Sequence, residues 1–152
     1  MQTVRRSAIV SVVLASFAAA QSAALAETLL FRADLNGASE VPSTDIKGIG
    51  TVSAQYDTAT QMLSWMANYS GLTGNVIAAN FNGPATVRQE GTVSLRVNGA
   101  LTSPIEGAAT LDKVQAADLK SGNWYFNIHT LDHKTGEIRG QLVEVNPPHT
   151  HR

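Results

Sequence analysis

The chain has no cysteine at all. This excludes a disulfide framework, a thiol nucleophile, a thiolate metal centre and a lipid-modified cysteine anchor, so any fold must stand on apolar burial and backbone pairing. Aromatic residues make up 6% of the sequence and charged residues 15%, and the formal net charge is −1. So small a charge gives no basic surface for nucleic acid, and no nucleic-acid partner is expected. Beyond the first 26 residues no apolar run reaches the length that crosses a bilayer, so no membrane span is expected either. Helical periodicity is scarce as well, which turns attention to strands.

The N-terminus carries the one long apolar stretch. Arg5 and Arg6 precede the run Ser7 to Ala20, and small residues lead to Ala24-Leu25-Ala26. This is the layout of a secretory signal peptide, so residues 1–26 are read as a leader cleaved after Ala26 and the product as periplasmic or secreted. With Arg5 and Arg6 removed from the 11 basic residues, nine remain against 12 acidic ones, a mature net charge of about −3. The remaining length suits one domain, 27–145, followed by a tail at 146–152 that leaves through Pro147-Pro148.

Within that domain, apolar and polar residues alternate with a period of two. Leu29, Phe31, Ala33 and Leu35 share one parity of a strand over Thr28 to Asn36, and Gly37 ends it. Ala38 to Asp45 has Pro42 and no period, so it reads as a loop. Val52, Ala54 and Tyr56 face Leu63, Trp65, Ala67 and Tyr69 across the turn Asp57 to Thr60, a hairpin pattern. Further strands are expected over Val76 to Asn82, stopped by Gly83-Pro84, and over Thr92 to Val97 with Val93, Leu95 and Val97 on one face. A single short helix is expected over Thr110 to Leu119, with Thr110 as cap, Val114 and Leu119 facing the core and Gly122 closing the end. Short strands every ten residues or so, with one small helix, predict an all-β fold: an antiparallel Greek-key β-sandwich or barrel of immunoglobulin-like type.

The densest chemistry lies between Gly122 and Leu142. Trp124, Phe126 and Ile128 alternate with Tyr125, Asn127 and His129, and after a connector at Asp132 to Gly136, Ile138 and Leu142 alternate with Glu137, Arg139 and Gln141. If the connector reverses the chain, the apolar sets share the core and the six polar side chains crowd on the opposite face. A carboxylate, a guanidinium and an imidazole so placed can grip a polar ligand, or can lock strand register through cross-strand pairs. Glu40 poses the same choice in its loop, as ligand contact or as acceptor for loop N–H groups.

In order along the chain stand Gly37-Ala38-Ser39-Glu40-Val41-Pro42 with Gly48-Ile49-Gly50, Gly71-Leu72-Thr73-Gly74 leading to Asn82-Gly83-Pro84-Ala85, Leu119-Lys120-Ser121-Gly122, and Asn127-Ile128-His129-Thr130 with Gly136-Glu137-Ile138-Arg139-Gly140-Gln141. In these motifs residues 29 to 143 resemble the CHRD domain, the module repeated in chordin and found singly in exported bacterial proteins. The resemblance implies a β fold and an extracytoplasmic location, with no settled activity. Members commonly carry His-Ile-His-Gly-Pro where this chain has Asn80-Phe81-Asn82-Gly83-Pro84. The two asparagines remove an imidazole pair from one strand face, so no cofactor and no metal are expected in the domain. His149 and His151 in the tail are weak metal candidates.

The sequence therefore predicts a non-catalytic binding or structural module, with Tyr125, Asn127, His129, Glu137, Arg139, Gln141, Asn80 and Asn82 as candidate binding face and Glu40 as loop contact. The partner expected is an extracytoplasmic protein or glycan. A metal-dependent envelope enzyme or metal-binding protein, and a carbohydrate-binding module using Trp65, Trp124, Tyr69 and Tyr125, are the alternatives. Parity places both tryptophans among apolar neighbours, which favours core packing for them.

Overall fold

A computed structural model describes residues 25–145. The leader, apart from Leu25 and Ala26, and the tail with His149 and His151 lie outside these described residues. Among the described residues nine strands form one antiparallel sheet: β1 Thr28–Asn36, β2 Ile49–Asp57, β3 Met62–Ser70, β4 Val76–Asn82, β5 Val93–Arg96, β6 Ile105–Thr110, β7 Tyr125–Thr130, β8 Ile138–Gln141 and β9 Val143–Glu144. The neighbour order is β5-β4-β7-β8-β1-β2-β3-β6, with β9 also on β1.

Two leaves meet at a narrow seam. β1 and β2 are paired along nine residue positions, as are β2 and β3, but β8 joins β1 through Asn36 and Arg139 only. At that seam a Cβ on Gly140 would run into Asp34 O, so the close approach of the two backbones requires glycine. The sheet curls there and its ends face each other. Trp65 on β3 packs edge-on to Phe81 on β4 at 5.1 Å although four strands separate them in the sheet. Phe81 in turn contacts Phe126 at 4.9 Å and Trp124 at 5.7 Å. The architecture is the expected all-β antiparallel type, curled into a half-barrel with sandwich-like packing.

The period-two parity places the core correctly. Phe31, Ala33, Leu35, Val52, Ala54, Tyr56, Leu63, Trp65, Ala67, Phe126, Ile128, Ile138 and Leu142 are all buried in it. The β2–β3 turn is tied by Asp57, whose Oδ1 accepts from the Ala59 and Thr60 N–H groups; these bonds hold its carboxyl below the usual range.

Three local readings are corrected. The helix, α1, is Lys113–Lys120, capped by Asp112 in a capping box with Gln115. Thr110 is instead the last residue of β6, paired with Met62. Val114 is 70% exposed, and Leu111, Ala116 and Leu119 make the core contacts. Gly122 does close the helix, at φ +74° with its N–H on Leu119 O. The third correction is β6 itself, unread in the sequence because Ile-Glu-Gly-Ala-Ala-Thr has almost no apolar bulk to show a period. Its Gly107 lies flat under the Trp65 indole, where a Cβ would strike the ring, so the bulk for this pair comes wholly from β3.

Candidate functional site

The polar face of β4, β7 and β8 is not open to solvent. Asn80, Asn82, Tyr125, Asn127 and Arg139 are buried beneath two loops, and Glu137 is buried against the loop before β4. The first, residues 37–48, opens with a 3-10 turn, Gly37–Ser39, held by Asn36 Oδ1, which accepts from Ser39 N and Ser39 Oγ at 2.9 Å each. Thr44 N–H donates to Gly37 O at 3.0 Å and brings the loop back on itself. The second, residues 83–92, is closed at its neck by Gly83 N–H on Thr92 O at 2.9 Å. Gly91 packs there against the Gly83 backbone, leaving no room for a side chain.

Register explains which groups come together. Asn80 pairs with Asn127 and Asn127 with Arg139, so these three form a row across the sheet, and Asn82, Tyr125 and Gln141 form the next. Arg139, 2% exposed, lies 3.4 Å over the Tyr125 ring, and its Nη2 donates to Thr86 O at 3.1 Å and Gln89 O at 2.7 Å. Tyr125 Oη accepts from Gly91 N–H at 3.0 Å. Gln141 Nε2 donates to Ala85 O at 2.8 Å and to Gly122 O at 2.7 Å. Since both amide hydrogens are used on carbonyls, the orientation of that amide is fixed by its partners.

The predicted set divides in two. Glu137 and His129 belong to the β7–β8 connection, away from the Arg139 group. Glu137 is fully buried, accepting from Thr73 N–H and from Thr130 Oγ at 2.6 Å each, so it fastens the loop before β4 to the end of β7. His129 Nδ1 lies 2.9 Å from Lys134 O and holds the connector. Thr73 and Thr130 were missed as partners because a backbone N–H and a lone threonine hydroxyl leave no pattern in a sequence.

The other group does meet Glu40. Together with Ser39, Val41, Pro42, Val87 and Arg88, the residues Glu40, Arg139 and Gln141 surround a cleft of about 500 Å³ between the two loops. Asn127 Nδ2 lies 3.5 Å from Glu40 Oε2. The carboxylate and amide converge over Gly136, where a Cβ would sit 2.8 Å from Glu40 Oε1 and 2.7 Å from Asn127 Oδ1. Burial pushes the Glu40 carboxyl up to about 7, although Arg139 and the Asn127 amide pull it down; Glu90 adds a smaller upward push. Glu40 Oε1, Asn127 Oδ1, Asn82 Oδ1 and Gln141 Oε1 are buried acceptors with no partner among the described residues. Arg88 and Val87 had no signal of their own, since they lie in a loop without period.

The alternatives fare as follows. Trp65 and Trp124 are in the core and Tyr69 Oη donates to Leu101 O at 2.8 Å, so these rings present no platform at the cleft. Asn80 and Asn82 sit side by side with Asn127 and Tyr125 under the loops. Among the described residues no three His, Cys, Asp or Glu side chains gather as a metal site requires. Among them also no helix is long and apolar enough to cross a membrane.

The CHRD domain model matches residues 31–142, which runs from Phe31 in β1 past the end of β8 and includes every residue lining the cleft, with β9 and the first three residues of β1 outside it. The chain belongs to the CHRD domain family. Neither a curated protein nor a solved structure matches it. In this CHRD domain, the stretches that carry the family likeness, Gly37 to Pro42, Asn82 to Ala85 and Gly136 to Gln141, are those that build the two loop necks and the cleft floor.

Proposed function

We propose that this CHRD domain is exported and acts as a non-catalytic binding module whose ligand seat is the cleft over Arg139 and Gln141. The observation that carries the reading is the pairing of an open cleft with buried, orphaned polar groups. Arg139 lies on the floor of that cleft with only Nη2 engaged by carbonyls, while Glu40 and Gln141 in the lining, and Asn127 against Glu40, each hold an acceptor without a partner among the described residues, at a cost of about 1–3 kcal/mol apiece. A buried carboxyl faced by a guanidinium in a cleft marks a candidate functional site. Export is supported by the leader pattern at 1–26.

Two measurements test this. Intact mass of the protein recovered outside the cytoplasm should begin at Glu27; an uncleaved product retained in the cytoplasm overturns export. A broad small-molecule screen by amide and side-chain NMR should yield ligands that move the Gln141, Ser39 and Val87 signals and are recovered unchanged. Chemical conversion of a bound compound, or hits that never reach these residues, overturns the module reading.

A further inference from the structure

Within that reading, on which this inference rests, we propose that the cleft takes a small organic carboxylate, its charged end on Arg139 and its hydrocarbon part against Val41, Pro42 and Val87. The guanidinium is pinned from below. Tyr125 covers one face at 3.4 Å, and the Thr86 and Gln89 carbonyls use the two hydrogens of Nη2. The Nη1 and Nε hydrogens have no acceptor among the described residues and remain for a ligand on the cleft floor. A cation held by a ring face and two neutral carbonyls keeps its charge uncompensated by direct contact, and an anion is the complement. Arg88, exposed at the mouth, adds a second positive charge on the way in.

Size and wall chemistry narrow the class. A volume of about 500 Å³ lies within the range of small-molecule sites, and Val41, Pro42 and Val87 give the walls an apolar character that a bare inorganic anion does not use.

Glu40 decides when the anion is admitted. It is faced by Arg139 from β8, by the neutral Asn127 from β7 and by Glu90 from the loop 83–92, and its own loop segment from Gly37 to Thr44 carries no other charge. With its carboxyl pushed up to about 7 by burial, below that pH Glu40 is neutral and sets no charge beside the incoming carboxylate. Above it, a second negative charge stands beside the ligand's own. Affinity should therefore fall as pH rises.

The test uses hexanoate as probe and hexanamide as its neutral control, on the folded secreted protein, by NMR titration or calorimetry at pH 6 and pH 8. Hexanoate is expected to bind at Gln141, Ser39 and Val87, about tenfold more weakly at pH 8 than at pH 6, the loss set by a linked proton near pH 7. Glu40→Gln, which keeps the amide-sized neutral group, should abolish that pH dependence, and Arg88→Gln, on the exposed mouth, should weaken binding without altering the fold. Equal binding of hexanamide, or hexanoate affinity independent of pH in the unmutated protein, overturns the inference. If hexanoate is silent while a neutral compound from the broad screen moves the same signals, the carboxylate class fails and the module reading stands. If nothing moves them, both fail.

Discussion

Glu40 is 8% exposed and its carboxyl is pushed up to about 7 by burial, which ties stability to pH with a definite sign. The native state holds this proton more tightly than the unfolded chain, so between about 4.5 and 7 native protein binds more protons and stability falls as pH rises. Above 7 the loss is complete. Glu40→Gln should accordingly leave stability unchanged at pH 4 and raise it at pH 8 by about 1–3 kcal/mol, the lower end applying where cleft water screens the charge. Denaturant melts at the two pH values read this directly, and equal shifts at both would show that the carboxyl is not buried as described. The two other buried charges act on different loops. Arg139→Ala strips partners from the Thr86 and Gln89 carbonyls, and Glu137→Ala releases Thr73 N–H and Thr130 Oγ. Each should cost about 2–4 kcal/mol, with hydrogen exchange loosened around 83–92 in the first case and 71–75 in the second. Loosening in the same loop for both variants would restore the single cluster that sequence parity implied. That parity put both side chains on the non-core face, which is where they are. It could not reveal that the face is roofed, because the roof is built by loops whose bonds run through backbone carbonyls.

At the scale of elements, strands with bulky alternation were legible and strands without it were not. Leu29 to Leu35 announces β1 to the residue, since each inward position is apolar and each neighbour polar or half-exposed. Gly107-Ala108-Ala109 announces nothing, because β6 contributes backbone to pair with β3 and a flat surface for an indole. Gly107→Ala tests that division of labour. A methyl forced against the buried Trp65 ring should destabilise the domain by about 1–3 kcal/mol and shift tryptophan fluorescence, whereas the same change at an exposed strand glycine would be slightly favourable. The helix boundary was misplaced for a related reason: Thr110 and Asp112 both suit a cap, and only pairing of Thr110 with Met62 hands the role to Asp112.

At the scale of the whole molecule, the two leaves share one core through Trp65, Phe81, Trp124 and Phe126, so neither has a hydrophobic interior of its own. Thermal unfolding should be a single transition seen alike by tryptophan fluorescence and far-UV dichroism; two separated transitions would mean the leaves melt independently. The join between them is slender: Arg139 is the one β8 residue paired with β1, and the same Arg139 is the floor of the cleft. The loop carrying Glu40 springs from the end of β1 on one leaf, while Arg139 and Gln141 belong to the other. Whatever settles in the cleft therefore grips both sides of the hinge line at once. In a chain without a single sulfur cross-link, an occupant acts as a clasp: it resists pulling the leaves apart, lengthens the lifetime of the folded form under shear or proteolysis, and loosens its hold when the surroundings turn alkaline.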